Sequence, residues 1–144
     1  MPAASPLLVI DDDAERGASH LLVIDDDTEL CELLAIRARA SGYRVTTSPE
    51  IATTRRHIQR DDIDLILLDL DLAGHHGFDI LDAVTTRAPH IPVIVLTASG
   101  TNDTEAEATR RGATAFITKP FHHRDLLEKV STALHARPRH PPAP

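Results

Sequence analysis

Tryptophan is absent from this chain, tyrosine occurs once and phenylalanine three times, so aromatic residues fill only 3% of its 144 positions. A core must therefore be assembled from Leu, Ile, Val and Ala. A single cysteine, Cys31, excludes an internal disulfide and suits a reducing, cytoplasmic setting. No apolar run approaches the roughly 20 residues of a membrane span. The N-terminus carries neither the basic flank nor the long apolar segment of a signal peptide. Positive charge is in deficit as well: 15 Lys and Arg against 22 Asp and Glu leave a net charge of −7. That balance argues against direct nucleic-acid binding and against an anionic membrane surface. The length fits one domain with a proper core and no second one.

What the chain does have is a sharply bounded apolar run, Leu65-Ile66-Leu67-Leu68, that stops at Asp69 and is followed by Leu70, Asp71, Leu72, Ala73 and Gly74. A short unbroken run of this kind reads as a strand buried on both faces of a parallel sheet. A second, 92–96, ends at Thr97, Ala98, Ser99 and Gly100. A third occurs twice, letter for letter: Leu-Leu-Val-Ile-Asp-Asp-Asp stands at 7–13 and again at 21–27. Only the second copy leads into an amphipathic helix, capped by Asp27 or Thr28, with Leu30, Leu33, Leu34 and Ala38 as its apolar positions and Gly42 as its stop. Cys31 on that helix reads as a small core filler.

The remaining elements alternate. Residues 43–47 are β-branched and alternating, as in a half-exposed edge strand. Ser48-Pro49 starts a second helix, which carries Ile51, Ala52 and Ile58 and fades at 61–62. A third helix spans 77–87 with Ile80, Leu81 and Val84 inward. A fourth begins at Thr101 or Asp103 and runs to Gly112. A short strand at 115–118 ends at Lys119-Pro120, and a last helix places Leu126, Leu127, Val130 and Leu134 at helical spacing. Five strands alternating with five helices predict an α/β fold, a doubly wound parallel sheet with helices on both faces. The expected division is a flexible extension at 1–19, one domain at 20–136 and a proline-rich tail or linker start at 137–144.

In a parallel sheet the residues just past each strand share one rim, where ligands gather. Here they are Asp25 and Asp26, Asp69, Thr97 and Lys119. Three converging carboxylates repel one another and call for a cation. Oxygen donors with room for water suit Mg²⁺, with Mn²⁺ as a substitute. A carboxylate, a divalent ion, a lysine and a hydroxyl together form a phosphoryl-transfer site, with Asp69 as the nucleophile.

Over about residues 20–136 the chain resembles the receiver domain of two-component response regulators. The matching pieces are 22–27, 64–69, Leu72-Ala73-Gly74, Gly77-Phe78, 92–98, Gly112-Ala113 and Lys119-Pro120-Phe121. The resemblance implies a (βα)5 flavodoxin-like sandwich with strand order 2-1-3-4-5. It also favours the second copy of the repeat, because Asp26 to Asp69 has the family's spacing. By the same resemblance Asp69 accepts a phosphoryl group from the phosphohistidine of a sensor histidine kinase or phosphotransfer protein. Asp25, Asp26, Asp69 and the Asp71 backbone carbonyl arrange Mg²⁺. Thr97 swings toward the phosphoryl group, which Ala98 and Lys119 help to bind, Phe116 rotates inward behind it as the switch aromatic, and Pro120 follows a cis bond. The output surface is the fourth helix, fifth strand and fifth helix, roughly Thr101 to Leu134. It would act on a downstream effector domain or protein, with a homodimer as one arrangement. Ala73 departs from the proline common in relatives, and Asp71 is an acidic neighbour that, with Ser99, would tune phosphoryl lifetime.

Blander and rival readings stand beside these. The paired histidines 75–76 and 122–123 lack the spacing of a transition-metal site and read as surface residues. Asp69-Leu70-Asp71 also fits the nucleophile motif of haloacid-dehalogenase-like phosphatases, but that family places its acidic metal pair downstream and needs length for a cap. A receiver used only as a protein-interaction module would require loss of a key residue, and none is missing. The first copy of the repeat reads as an extension; its sharper reading is a strand that adds to a sheet edge or competes with 21–27.

Overall fold

Successive side chains of a strand face opposite sides of a sheet, so an apolar run without alternation has to be covered twice. The computed structural model, which describes residues 18–48, 56, 62–71 and 77–136, shows this for three strands. They are β1 (His20–Ile24), β3 (Leu65–Asp69) and β4 (Val93–Thr97), every residue of which is buried. β2 (Arg44–Ser48) and β5 (Ala115–Thr118) are partly exposed and form the edges. All pairings are parallel and the order is β2-β1-β3-β4-β5. This is the doubly wound, flavodoxin-like arrangement.

Four helices fall within the described residues: α1 (Thr28–Ala40), α2 (Gly77–Arg87), α3 (Asn102–Arg110) and α4 (His123–Ala136). The helix expected after Pro49 falls almost wholly outside those residues, as do the first copy of the repeat, most of the N-terminal extension and the proline-rich tail. The elements expected to form the output surface correspond to α3, β5 and α4.

The two faces of the sheet sort by parity. Leu21, Val23, Leu65, Leu67, Ile94 and Leu96 pack with Cys31, Leu34, Leu126 and Val130 from α1 and α4. Leu22, Ile24, Ile66, Leu68, Val93 and Val95 pack with Leu81, Val84 and Ala108 from α2 and α3. Each fully buried Leu or Ile contributes on the order of 2 kcal/mol, so the aliphatic core replaces the missing rings.

Two sequence expectations need correction. Leu33 is 50% exposed rather than inward, because the buried stripe of α1 is Cys31, Leu34, Ala35 and Ala38 and Leu33 lies off it. The central strands also reach one residue further than their apolar runs, so Asp69 and Thr97 are the last residues of β3 and β4. α1 is capped by Asp27, whose carboxylate accepts from the Leu30 N–H at 3.1 Å. Gly42, with φ +98°, reverses the chain after it.

Candidate phosphoryl-transfer site

Strand register decides which side chains meet. Ile24 pairs with Leu68, which puts Asp25 level with Asp69. Asp69 pairs with Leu96 and Thr97 with Thr118, so Thr97 and Lys119 stand one step beyond on the neighbouring strands. Backbone bonds continue the ladder past the strand ends: Leu70 N–H to Leu96 O at 2.9 Å and Lys119 N–H to Thr97 O at 2.8 Å. The rim is thus held by the sheet rather than by loops.

On it, one oxygen from each of Asp25, Asp26 and Asp69 lies within 4.8 Å of the others. Asp25 and Asp69 are 1% and 2% exposed, while Asp26 faces solvent. The Lys119 ammonium bridges the buried pair, 3.2 Å from Asp25 Oδ2 and 3.3 Å from Asp69 Oδ1. The Lys119–Pro120 peptide is cis. Asp69 Oδ1 also accepts from the Asp71 N–H at 2.9 Å, and Asp25 Oδ1 from the Asp27 N–H at the same distance.

One cation against two buried carboxylates and a third nearby leaves the site short of positive charge. Burial pushes the Asp69 pKa up from the ordinary 3.8 to about 6; the Asp71 N–H and Lys119 pull it down and Asp25 pushes it further up. For Lys119, burial works downward but Asp25 and Asp69 outweigh it, and its pKa ends raised. An all-oxygen donor set, two members buried and one wet, fits a hard divalent ion such as Mg²⁺ that keeps part of its water. Among the described residues no such cluster includes a histidine or Cys31. Cys31 lies below the rim, its thiol donating to Asp25 O at 3.3 Å.

The hydroxyl of Thr97 is buried, at 1% exposure, and its partners lie on the rim itself. It accepts from the Ser99 N–H at 3.0 Å and donates to the Asp71 carboxylate at 3.3–3.4 Å. The Ala98 N–H donates to Asp71 Oδ2 at 2.8 Å. Beside these residues opens a shallow cavity of about 250 Å³ whose walls include Asp71, Gly77, Phe78 and Ser99. Phe116 stands apart, on β5, partly buried against the α2–α3 side of the core.

The response regulator receiver domain model matches residues 21–131. The chain belongs to the response regulator receiver family. Members of this family are signalling domains of two-component systems. The receiver resembles the transcriptional regulatory protein GlrR of Escherichia coli K12, 34% identical over 128 residues, 89% of this chain and 26% of that protein. It resembles the DNA-binding transcriptional regulator NtrC of a Bradyrhizobium strain at 33% identity over 93% of the chain and 25% of the relative. The chain thus spans about a quarter of the length of these curated relatives. Among solved structures, a receiver domain from Methanospirillum hungatei superposes with a TM-score of 0.77 at 26% identity, covering 83% of this chain and 95% of that one.

Two features escaped the sequence reading. The Asp71 side chain ties β3 to the end of β4, which spacing alone does not specify. Leu33 and Ile36, 50% and 63% exposed, stand three positions apart on α1, off the buried stripe. A helical projection of Cys31, Leu34, Ala35 and Ala38 would have separated them.

Proposed function

We propose that this receiver is a phosphorylation-dependent switch whose acceptor is Asp69. The observation that carries the reading is the meeting of Asp25, Asp26 and Asp69 within 4.8 Å, with the Lys119 ammonium bridging two of them. A carboxylate oxygen of Asp69 attacks the phosphorus of a phosphohistidine; a P–O bond forms, the P–N bond breaks, and the imidazole leaves. Asp25 and Asp26, with Asp69 and the Asp71 carbonyl, would hold Mg²⁺ (or Mn²⁺), which supplies charge neutralisation of the phosphoryl oxygens. Lys119 neutralises a further oxygen, while Thr97 and Ala98 offer donors from β4. Phe116 rotates inward as Thr97 moves, carrying the change to the α3–β5–α4 surface. A groove of about 630 Å³ between β5 and α4 lies on that surface and suits an effector domain or a second copy. Asp71 and Ser99 govern water access and so the phosphoryl lifetime.

Acetyl phosphate with Mg²⁺ should give one acid-labile phosphoryl adduct by intact mass, lost in Asp69→Asn. Equal labelling of both proteins would overturn the assignment. The exposed Leu33 and Ile36, on the helix that follows the acidic pair, suit docking of the phosphodonor protein. Replacing both with Ser should slow transfer from a cognate histidine kinase and leave labelling by acetyl phosphate unchanged.

A further inference from the structure

The two donors at the end of β4 are already occupied by an anion, and that anion belongs to the chain itself. Asp71 Oδ2 takes the Ala98 N–H at 2.8 Å, and both Asp71 oxygens lie 3.3–3.4 Å from the Thr97 hydroxyl. The hydroxyl is oriented for this: its lone pair accepts from the Ser99 N–H at 3.0 Å, which turns its proton away from Ser99. Asp71 is exposed, so burial does not force the contact. Hydrogen bonds to an ionised acceptor hold it there. The backbone is pinned at the same place, because the Asp71 N–H donates to Asp69 Oδ1 at 2.9 Å. The side chain therefore spans from the acceptor strand to its neighbour.

We propose that Asp71 is a built-in competitor, a carboxylate that occupies the Thr97 and Ala98 donors in the resting state and must leave before a phosphoryl group on Asp69 can take them. This inference rests on the phosphoacceptor reading above and gives Asp71 a role before phosphorylation, beyond its effect on phosphoryl lifetime. Two consequences follow from charge and geometry. Phosphorylation has to break the Asp71 bonds to these two donors, which raises the threshold for switching. The displaced carboxylate then stands beside a group carrying close to two negative charges, which destabilises the phosphorylated form. The device differs from simple repulsion, because competition for fixed donors at contact distance is weakened less by salt than repulsion between solvated charges.

The test is a beryllofluoride titration of the full chain, at Mg²⁺ concentrations shown to saturate each protein, read from the Thr97, Ala98 and Ser99 amide resonances. Asp71→Ala should bind beryllofluoride more tightly than the parent, on the order of tenfold, the scale of one lost charge-assisted hydrogen bond. Asp71→Asn, which keeps the shape and a neutral acceptor, should fall between them and serves if the alanine variant fails to fold. In the resting proteins the Ala98 amide should move upfield in Asp71→Ala. Equal affinities in parent and variants would overturn the inference while leaving Asp69 as acceptor. An affinity gain that vanishes at about 0.5 M salt would overturn it in favour of repulsion. A parent that does not bind beryllofluoride at all would instead overturn the phosphoacceptor reading.

Discussion

Neutralising Asp69 should make the metal-free domain more stable at neutral pH, although it removes the residue at the centre of the site. Asp69 is 2% exposed, shares Lys119 with Asp25, and titrates at about 6 rather than 3.8. The folded state therefore binds a proton more tightly than the unfolded chain does. Stability must fall as pH rises between about 4 and 6, and the penalty is fully present above that window. At about 1.4 kcal/mol per pH unit the difference amounts to about 3 kcal/mol. Asn has the same shape, accepts the Asp71 N–H, and leaves Lys119 to Asp25. The value of about 6 already includes the attraction to Lys119, and the Asn amide only partly stands in for a carboxylic acid, so the expected gain is about 1–3 kcal/mol at pH 8.

Urea denaturation of parent and Asp69→Asn in the presence of a chelator, at intervals from pH 8 to pH 4, measures this directly. The difference should be largest at pH 7–8, shrink through pH 6, and be within about 0.5 kcal/mol of zero near pH 4. Saturating Mg²⁺ should stabilise the parent and narrow or reverse the gap, since an ion that binds only the folded site adds its binding free energy to stability. A variant less stable than the parent at pH 8, or a gap that does not change with pH, would refute the electrostatic account of the rim.

Three further outcomes follow from other contacts. A Cβ at Gly77 would lie 2.3 Å from Leu70 O and 2.5 Å from Leu70 Cα, so Gly77→Ala must move the backbone between Asp69 and Asp71. It should cost about 1–3 kcal/mol in urea melts and slow phosphorylation of Asp69. His20 is buried, its Nε2 2.7 Å from Thr46 Oγ1 and Nδ1 3.1 Å from Asp62 O, and burial lowers its pKa below 6.5 against the pull of Asp62. Its contribution is present above pH 6.5 and lost as pH falls, opposite in sign to Asp69. Comparing Asp69→Asn with and without His20→Gln between pH 8 and pH 5 should isolate that loss. The Cys31 thiol is buried and its pKa pushed up to about 11 by burial and then by Asp25, so it should resist a thiol-reactive disulfide reagent at pH 8 until urea unfolds the domain.

Sequence made the rim legible because parallel strands end together. With 21–24, 65–68, 92–96 and 115–118 as parallel strands, Asp25, Asp69, Thr97 and Lys119 have to share an edge whatever their side chains do next. It did not reveal the directions of those side chains. The spacing of Thr97 gives it a place on the rim but not its resting partner: its proton points to Asp71, a direction set by the Ser99 N–H and by a carboxylate 26 positions away. Leu33 was misassigned for a related reason. Seven apolar residues crowd the first helix from Leu30 to Ala38, and the pattern names an apolar helix more readily than it names the face that will be covered. The His20 network joins residues 26 and 42 positions apart around one imidazole, with no local pattern to announce it.

The two ends of the sheet solve opposite problems, and the contrast bears on how a small group can act on so rigid a fold. At the start of β1 the His20 ring has a partner on each nitrogen, and the Asp64 carboxylate accepts the His20 N–H at 2.8 Å. A satisfied network of this kind resists change, because any rearrangement leaves a buried polar group unpaired. At the far end two buried carboxylates share one ammonium and a third carboxylate stands by. That end holds its charges at a loss and stays folded because the five strands beneath it are paired and the central three are buried. On the proposed function, an ion or phosphoryl group arriving there would change the balance of a site already under electrostatic stress, and the relief would be available to drive Thr97 and Asp71 to new partners. The energy for the proposed switch would then reside in the rim, while the aliphatic core keeps the rest of the sheet in register.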